Sequence, residues 1–300
     1  MNRMPSFLEP GDLIALVAPA KNIEKDAVDH AKSFFQNEGF KVLITQNCLG
    51  SYHYFSGTIA ERLSDFQGVL NNPEVKAIVC VRGGYGCIQL IDRIQWASQL
   101  EVPKWIVGFS DVTIMHQRMQ HHGIASIHGT MPLNFKTNSP ESLTTLMSAL
   151  RGNPSEIEVP SNRLNKTGSA KGPLLGGNLA ILYSLLGTDD QVNYDNSILY
   201  IEEVGEHLYQ IDRMFYAFEK AGILEKINGL IVGGMASIRD TATPFGKTYQ
   251  EIILSHFQYR SIPIIFDFPA GHIDDNRALI LGSEVRLSVT SASAALSYLD

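Results

Sequence analysis

Residues 106–116 read Ile-Val-Gly-Phe-Ser-Asp-Val-Thr-Ile-Met-His, and this stretch decides the class of fold. The apolar run at 105–107 predicts a short buried strand, and the residues from Val112 onward predict an amphipathic helix. Gly108 allows a sharp turn between them. Ser110 would then lie at a strand-to-helix corner, where the first N–H groups of a helix have no partner within that helix.

Two interpretations of Ser110 remain open from this stretch. A serine at such a corner can attack a carbonyl while the free N–H groups hold the resulting oxyanion. Serine and aspartate before a helix are also common helix caps. The nucleophile pattern Gly-x-Ser-x-Gly usually closes with glycine, whereas Val112 stands in that place.

The segments around the corner repeat its strand-and-helix alternation. Such an alternation predicts an α/β fold with a mostly parallel sheet covered by helices on both faces, over a first domain at 1–151. Residues 152–171 are polar and contain proline and glycine, so we interpret them as a linker. Short strands mixed with helices predict a second domain at 172–300. The predicted strands of the first domain are 13–18, 40–44, 77–81 and 104–107, and its helices are 24–37, 58–70, 88–94, a segment beginning at Asp111, and 143–150.

Composition limits the class of protein. The chain has 300 residues, 44% of them hydrophobic and 18% charged, as is usual for a folded soluble protein. The net charge of -7 argues against a nucleic-acid partner. Three cysteines do not form a disulfide framework, and an odd count favours a reducing compartment. We find neither a signal-peptide layout nor an apolar stretch near the ~18 residues of a membrane span, so we expect a cytoplasmic protein.

A glycine-rich loop, Arg82-Gly83-Gly84-Tyr85-Gly86, follows the predicted strand at 77–81. It could cradle a phosphate or a dinucleotide, but the spacing G-x-G-x-x-G is absent and no Walker lysine follows. A second interpretation is a loop that lends an N–H group to an oxyanion, with Arg82 available to bind a carboxylate. A tight turn without a ligand is the third.

An acid and a histidine follow strands in the second half. Glu202 and Glu203 end the strand at 198–201 and point to opposite faces, so only one can face a given site. His272 lies in a polar loop at 267–277, which we expect to be an exposed turn, and can act as a general base. A metal site with Asp274 and Asp275 would lack a second histidine. The order Ser110, Glu202, His272 matches the order of roles in α/β-hydrolases.

Seven motifs in this order resemble one known family, the LD-carboxypeptidases (murein tetrapeptide carboxypeptidases, serine peptidase family S66). The likeness covers nearly the whole chain. Its motifs are Pro10-Gly11-Asp12 with Pro19, Phe55-Ser56-Gly57-Thr58 with Glu61-Arg62-Leu63, Arg82-Gly83-Gly84-Tyr85-Gly86, Gly108-Phe109-Ser110-Asp111-Val112-Thr113, Leu175-Gly176-Gly177-Asn178-Leu179, Glu202-Glu203 with Tyr209-Gln210-Ile211-Asp212-Arg213, and Gly271-His272 with Asn276.

The resemblance implies a Rossmann-like parallel N-terminal domain, a C-terminal domain richer in β structure, and an active site in the cleft between them. It implies Ser110 as nucleophile, Glu202 (or its neighbour Glu203) as the orienting acid and His272 as general base, without a metal ion or other cofactor. The N–H groups of Gly84 and Asp111 would form the oxyanion hole, and Arg82 would bind a substrate carboxylate. The substrate would be a muropeptide that loses its terminal D-alanine in cell-wall recycling, and the family suggests a homodimer.

Three other functions stay open on the residues. Relatives that resemble the microcin C self-immunity proteins cleave an amide in a peptidyl or aminoacyl nucleotide, which calls for an aromatic residue to stack on the base. A non-catalytic module could close two domains on a ligand, with Ser110 as a helix cap. A nucleotide-dependent oxidoreductase is disfavoured by the glycine spacing.

Overall fold

The computed structural model describes residues 2–299, which divide into two compact units. The first unit comprises Asn2–Pro154 and Asp274–Ile280, and the second comprises Ser155–Ile273 and the chain from Leu281 onward. The division differs in detail from the expected domains at 1–151 and 172–300. The segment at 274–280, after His272, returns to the first unit, and residues 155–171 of the expected linker are part of the second.

The first unit contains most of the elements of the N-terminal half. They are β1 (Leu13–Val17), α1 (Lys25–Asn37), β2 (Lys41–Ile44), α2 (Ile59–Asn71), β3 (Val75–Cys80), α3 (Ala97–Glu101), β4 (Trp105–Gly108), α4 (Thr113–His121), β5 (Ser126–His128) and α5 (Pro140–Leu150). The second half of the chain continues with β6 (Ile157–Pro160), β7 (Gly168–Asn178), α6 (Leu179–Ser184), β8 (Ile198–Val204), α7 (Leu208–Lys220), β9 (Gly229–Ala236), α8 (Tyr249–Ser255), β10 (Ile264–Ile265), β11 (Leu279–Leu281), β12 (Glu284–Val289) and β13 (Ser293–Tyr298).

The sheet of the first unit has the strand order β11-β5-β4-β3-β1-β2. Strands β1 to β5 pair in parallel, which confirms the predicted parallel sheet. All residues of β4 are buried, and so are all residues of β3 except Lys76, as expected for strands covered on both faces. Because the carboxyl ends of parallel strands meet at one edge, the loops after β1, β3 and β4 converge there, which is where α/β sheets bind ligands.

The helix predicted at 88–94 is wrong. The chain instead forms a short 3-10 turn, Cys87–Gln89, followed by a second turn in which Arg93 N–H donates to the carbonyl of Leu90. Leu90, Ile91 and Ile94 are buried, so consecutive turns satisfy the apolar spacing as well as a helix would. The apolar spacing of these residues correctly indicated which of them are buried, but it did not require them to form one continuous helix.

The sheet of the second unit is mixed, with the order β10-β9-β8-β7-β12-β13-β6. Strands β7 to β10 pair in parallel, whereas β7, β12, β13 and β6 pair antiparallel. The long strand β7 joins both halves, since its early residues pair with β12 and its later ones with β8. β6 and the start of β7 fall within 152–171; β6 is an edge strand with only Ile157 buried, which explains the polar pattern there.

The parallel half of this sheet carries the apolar core of the second unit. Leu199, Ile201 and Leu230 from the strands pack with Phe215 and Phe218 of α7 and with residues of α8. This core fixes the carboxyl end of β8, the strand that carries Glu202 and Glu203. Among residues 2–299, none of the helices is both long enough and apolar enough to cross a membrane.

Candidate active site

Ser110 lies at the predicted strand-to-helix corner. It follows β4, begins a 3-10 turn (Ser110–Val112), and α4 starts at Thr113. Its φ is +63°, a left-handed conformation that L residues other than glycine avoid. A strained non-glycine residue at a turn is typical of functional positions, because the surrounding structure must hold it there.

The glycine-rich loop after β3 packs directly against this corner. A Cβ atom on Gly83 would lie 3.3 Å from both Ser110 Cβ and the backbone nitrogen of Asp111. The Asp111 carboxylate is buried and accepts a hydrogen bond of 2.9 Å from the N–H of Cys87, which ties the corner to the end of the loop. The two predicted oxyanion donors, Gly84 and Asp111, therefore belong to loops in close contact.

A buried histidine supports the corner from within the fold. His116 Nε2 lies 2.8 Å from the carbonyl oxygen of Gly108, and Nδ1 lies 2.9 Å from Ser126 Oγ. Burial lowers the pKa of His116 to about 4, so the ring is neutral. With its proton on Nε2, the ring donates to Gly108 and accepts from the Ser126 hydroxyl. His116 thus joins α4 to the ends of β4 and β5. The sequence stretch contains it, but no pattern gave it a role.

In the second unit, Glu202 and His272 form a close pair. His272 Nδ1 lies 2.6 Å from Glu202 Oε2; the Glu202 side chain is 0% exposed and that of His272 is 22% exposed. Burial disfavours the charged ring, but the negative charge of Glu202 and its hydrogen bond outweigh this, so the pKa of His272 is raised. The expectation of an exposed histidine is wrong, because the loop folds back onto the sheet. Because Nδ1 is engaged by Glu202, proton transfer by this ring would take place at Nε2.

Glycines in the His272 loop and in strand β9 beneath it allow the loop to lie directly on the sheet. Gly271 has a φ of +110°, and a Cβ atom there would lie 2.6 Å from Glu202 Cβ. In β9, Gly234 N–H donates to the carbonyl of Ala270 at 2.8 Å, and a Cβ atom on Gly233 would lie 2.4 Å from the same oxygen. The pairing of β8 with β9 shifts register beside Glu202, as at a β-bulge. The adjacent glycines in a strand were the available signal for this bulge.

Glu203 points to the other face of β8 and serves a different purpose. Its carboxylate accepts from the N–H of Ala180 and of Val204, both at 2.7 Å, and from Asn178 Nδ2 at 3.2 Å. Burial, supported by the charge of Glu202, raises the pKa of Glu203 to about 7 despite these hydrogen bonds. Glu203 therefore joins the end of β8 to the start of α6, and Glu202 is the acid that contacts His272.

Asp275, which follows His272 in the same loop, is engaged elsewhere. Asp275 forms an ion pair of 2.9 Å with Arg277 and accepts from Ser139 Oγ at 2.9 Å, both within the first unit. Across residues 2–299, no group of three or more His, Cys, Asp and Glu side chains is arranged to hold a metal ion.

Both halves of the chain match domains of one family. Residues 14–129 match the LD-carboxypeptidase N-terminal domain, and residues 171–287 match the LD-carboxypeptidase C-terminal domain. A Synechocystis protein whose name places it among the carboxypeptidases is 32% identical over 284 residues, which cover 94% of this chain and 93% of the relative. The chain belongs to the LD-carboxypeptidases of peptidase family S66. It is therefore a hydrolase of a serine carboxypeptidase family.

Other relatives fall into two groups by name. The murein tetrapeptide carboxypeptidase of Pseudomonas aeruginosa is 29% identical over 88% of this chain and 89% of its own length. The microcin C7 self-immunity protein MccF of Escherichia coli is 22% identical over 97% of this chain and 94% of its own length. The fold is common to both groups. The crystal structure of muramoyltetrapeptide carboxypeptidase from Oxalobacter formigenes has a TM-score of 0.86 at 24% identity, with 96% of this chain and 99% of that chain covered. MccF in complex with glutamyl sulfamoyl guanosine also has a TM-score of 0.86, at 19% identity and 99% of each chain.

Two arginines at the edge of this family member's first sheet hold loops together. Arg82 Nη1 donates to the carbonyl of Asn22 at 3.0 Å. Arg62 is buried and donates to the carbonyls of Pro19 at 2.8 Å and Gly86 at 3.1 Å. No sequence pattern singled out this loop-anchoring role of Arg62, although Arg62 falls on the buried stripe of α2 with Phe66 and Val69, where a charged residue is unusual.

Proposed function

We propose that this protein is a serine LD-carboxypeptidase that releases the terminal D-alanine from muropeptide tetrapeptides. The observation that carries the proposal is the strained Ser110 at its corner, because a helix cap needs no left-handed serine, whereas a nucleophile held clear of the sheet does. Membership of the LD-carboxypeptidase family and the 29% identity to a murein tetrapeptide carboxypeptidase support the choice of substrate.

In the proposed reaction, Ser110 Oγ attacks the carbonyl that precedes D-alanine, and His272 Nε2 takes its proton. The Glu202 carboxylate accepts the Nδ1 hydrogen of the ring and stabilises the imidazolium. This role fits the 2.6 Å contact and the raised pKa of His272. Ser110 belongs to the first unit and His272 to the second, so the reaction requires both to act on one substrate.

The N–H groups of Gly84 and Asp111 would hold the oxyanion of the tetrahedral intermediate. The contact of Gly83 with Ser110 and with the nitrogen of Asp111 supports this role. When the intermediate collapses, the proton on His272 passes to the leaving nitrogen and D-alanine departs. Water that gives a proton to His272 then hydrolyses the acyl-serine and restores the Ser110 hydroxyl. No step calls for a metal ion or other cofactor.

A second candidate is cleavage of the amide in an aminoacyl or peptidyl nucleotide. The 22% identity to MccF favours it. The exposed Tyr209 is an aromatic residue of the kind that this function calls for, but its ring already stacks on His207 at 5.6 Å and has the Arg213 guanidinium 5.3 Å from its centroid. We rank it second because the relatives with higher identity include a murein tetrapeptide carboxypeptidase. A cytoplasmic location, a role in cell-wall recycling and a homodimeric state belong to the same proposal.

The test is release of D-alanine from a muropeptide tetrapeptide, followed by mass spectrometry, for the wild type and for Ser110→Ala. We expect release by the wild type and a loss of about 10⁴-fold or more in the variant. An aminoacyl sulfamoyl nucleotide serves as the alternative substrate. Cleavage of the nucleotide alone would favour the second candidate. If neither compound is cleaved and a fluorophosphonate does not label Ser110, the protein is a binding module.

A further inference from the structure

Lys21 and Tyr54 contact the glycine-rich loop at Gly84, the residue next to the one that contacts Ser110. The N–H of Lys21 donates to the carbonyl of Gly83 at 3.4 Å. A Cβ atom on Gly84 would lie 3.2 Å from Lys21 Cβ and 2.9 Å from Tyr54 Oη. Gly83, the preceding residue, contacts Ser110 instead. A cation and the candidate nucleophile therefore flank one dipeptide of the same loop.

The Lys21 ammonium group has no acidic partner among residues 2–299. Its Nζ lies 4.7 Å from the centroid of the Tyr54 ring, and Tyr54 itself is 42% exposed. Two other lysines of this unit form ion pairs, Lys25 with Asp29 and Lys136 with Asp26. An ammonium held over an aromatic face has all three N–H donors for a further anion.

Arg82, which the family resemblance suggested for this purpose, is less suited to it. Its guanidinium already donates to the carbonyl of Asn22 in the loop after β1, so it helps to hold Lys21 in place. Lys21 lies beside the same loop, and within residues 2–299 its ammonium group, unlike the Arg82 guanidinium, donates to no protein acceptor.

We propose that Lys21 and Tyr54 bind the terminal carboxylate of the substrate, which makes them the residues that restrict cleavage to the last peptide bond. The inference rests on the proposed function. In a carboxypeptidase substrate, one Cα atom separates the terminal carboxylate from the scissile nitrogen, so the group that binds it must lie close to the oxyanion donors. The ammonium supplies a charge-assisted hydrogen bond to one carboxylate oxygen, and the Tyr54 hydroxyl donates to the other.

The experiment compares a muropeptide tetrapeptide with the same peptide ending in D-alaninamide. We expect Lys21→Met to lower kcat/KM on the free acid by about 10- to 100-fold, mainly through KM, because it removes a hydrogen bond to a charged group. Activity on the amide should stay within about twofold of the wild type. Lys21→Arg should recover part of the loss, and Tyr54→Phe should lose less than Lys21→Met.

Lys41→Met is the matched control, and Arg82→Met tests the competing residue. Lys41 is exposed and begins β2 opposite Leu13, so it lies at the other edge of the same sheet. Its replacement should leave kcat/KM unchanged on both the acid and the amide. Equal losses on acid and amide in Lys21→Met, no loss at all, or an acid-selective loss in Arg82→Met instead would each overturn the inference while the proposed function stands. A wild type that cleaves neither peptide would overturn both.

Discussion

The corner at Ser110 and the pair at His272 are held in place by different means. At the corner, the backbone does the positioning: a left-handed serine, the backbone of Gly83 against it, and a neutral histidine on the carbonyl of Gly108. At the pair, one short charged contact orients the ring, and Gly271 only makes room for it. Activity should therefore be sensitive to added side-chain atoms at the corner, and to changes of charge or pH at the pair.

The same contrast between charge and backbone contacts is found within β8, at the adjacent residues Glu202 and Glu203. Glu202 acts on a side chain through its charge, whereas Glu203 accepts backbone N–H groups at the start of α6. One carboxylate contacts a histidine ring, and the other joins two elements of the fold. Each of the following variants tests one side of this division.

The largest difference should come from Glu202→Gln and Glu203→Gln. In Glu202→Gln, the neutral amide no longer stabilises the imidazolium and can donate to Nδ1, which moves the ring proton to Nε2. We expect D-alanine release to fall by about 10³- to 10⁴-fold while the fold survives. In Glu203→Gln, an NH₂ group would meet backbone N–H donors, so the unfolding free energy should fall by ~1–3 kcal/mol and the rate by less than tenfold. Steady-state kinetics and urea unfolding measure both. A stably folded but inactive Glu203→Gln would contradict the division of roles.

Added methyl groups should distinguish the two regions next. Gly83→Ala places a Cβ atom 3.3 Å from Ser110 Cβ, and a displaced nucleophile should lose about 100-fold in kcat/KM together with labelling by a fluorophosphonate. Gly271→Ala brings its Cβ within 2.6 Å of Glu202 Cβ at a positive φ, so it should also lower the unfolding free energy by ~1–3 kcal/mol.

Gly68→Ala is the control for both, because it lies in α2 with no atom within 4 Å of an added Cβ. We expect it to stabilise the protein by ~0.5–1 kcal/mol without a change in rate. If Gly83→Ala behaves like this control, the backbone contact does not position Ser110.

In the proposed reaction the His272 pair carries the proton transfer, so it should control the acid limb of the pH profile. His272 must be neutral to accept a proton, and its pKa is raised above the ordinary value of 6.5 by Glu202. Activity should thus rise with pH through a midpoint above 6.5, and the acid limb of kcat/KM reports it. In Glu202→Gln, burial remains without the charge, so the midpoint should move to lower pH. An NMR titration of the His272 ring, assigned with His272→Gln, checks the shift; a wild-type midpoint at or below 6.5 would refute it.

The sequence predicted the corner well because the corner is local. A buried strand, a glycine and a helix within twelve residues determine where Ser110 lies, and the same alternation predicted the parallel strands β1 to β4. The short β5 and the return of β11 to this sheet depend on pairing between distant residues, which a local pattern does not contain.

The contact between Glu202 and His272 was harder to predict from the sequence. A period of two places Glu202 and Glu203 on opposite faces, but which face meets His272 depends on how the loop at 267–277 folds onto β9. That loop rests on Gly233 and Gly234, which follow the β8 glutamates by at least thirty residues in the sequence and lie beside the bulge at Glu202. For the same reason His272 seemed exposed, since its burial comes from the strand beneath it and not from its neighbours in sequence.

The smallest predicted effect concerns backbone strain. It is measured by making the same two substitutions, to glycine and to alanine, at Ser110 and at His272. Ser110 is left-handed, whereas His272 is not among the positive-φ residues. Glycine relieves the strain of a left-handed position but otherwise lowers stability relative to alanine. Ser110→Gly should therefore unfold with ~0.5–1 kcal/mol more free energy than Ser110→Ala, while His272→Gly should be less stable than His272→Ala. All four variants should be inactive, and urea unfolding measures the four free energies. The same order at both positions would mean that the backbone does not hold Ser110 in a strained conformation.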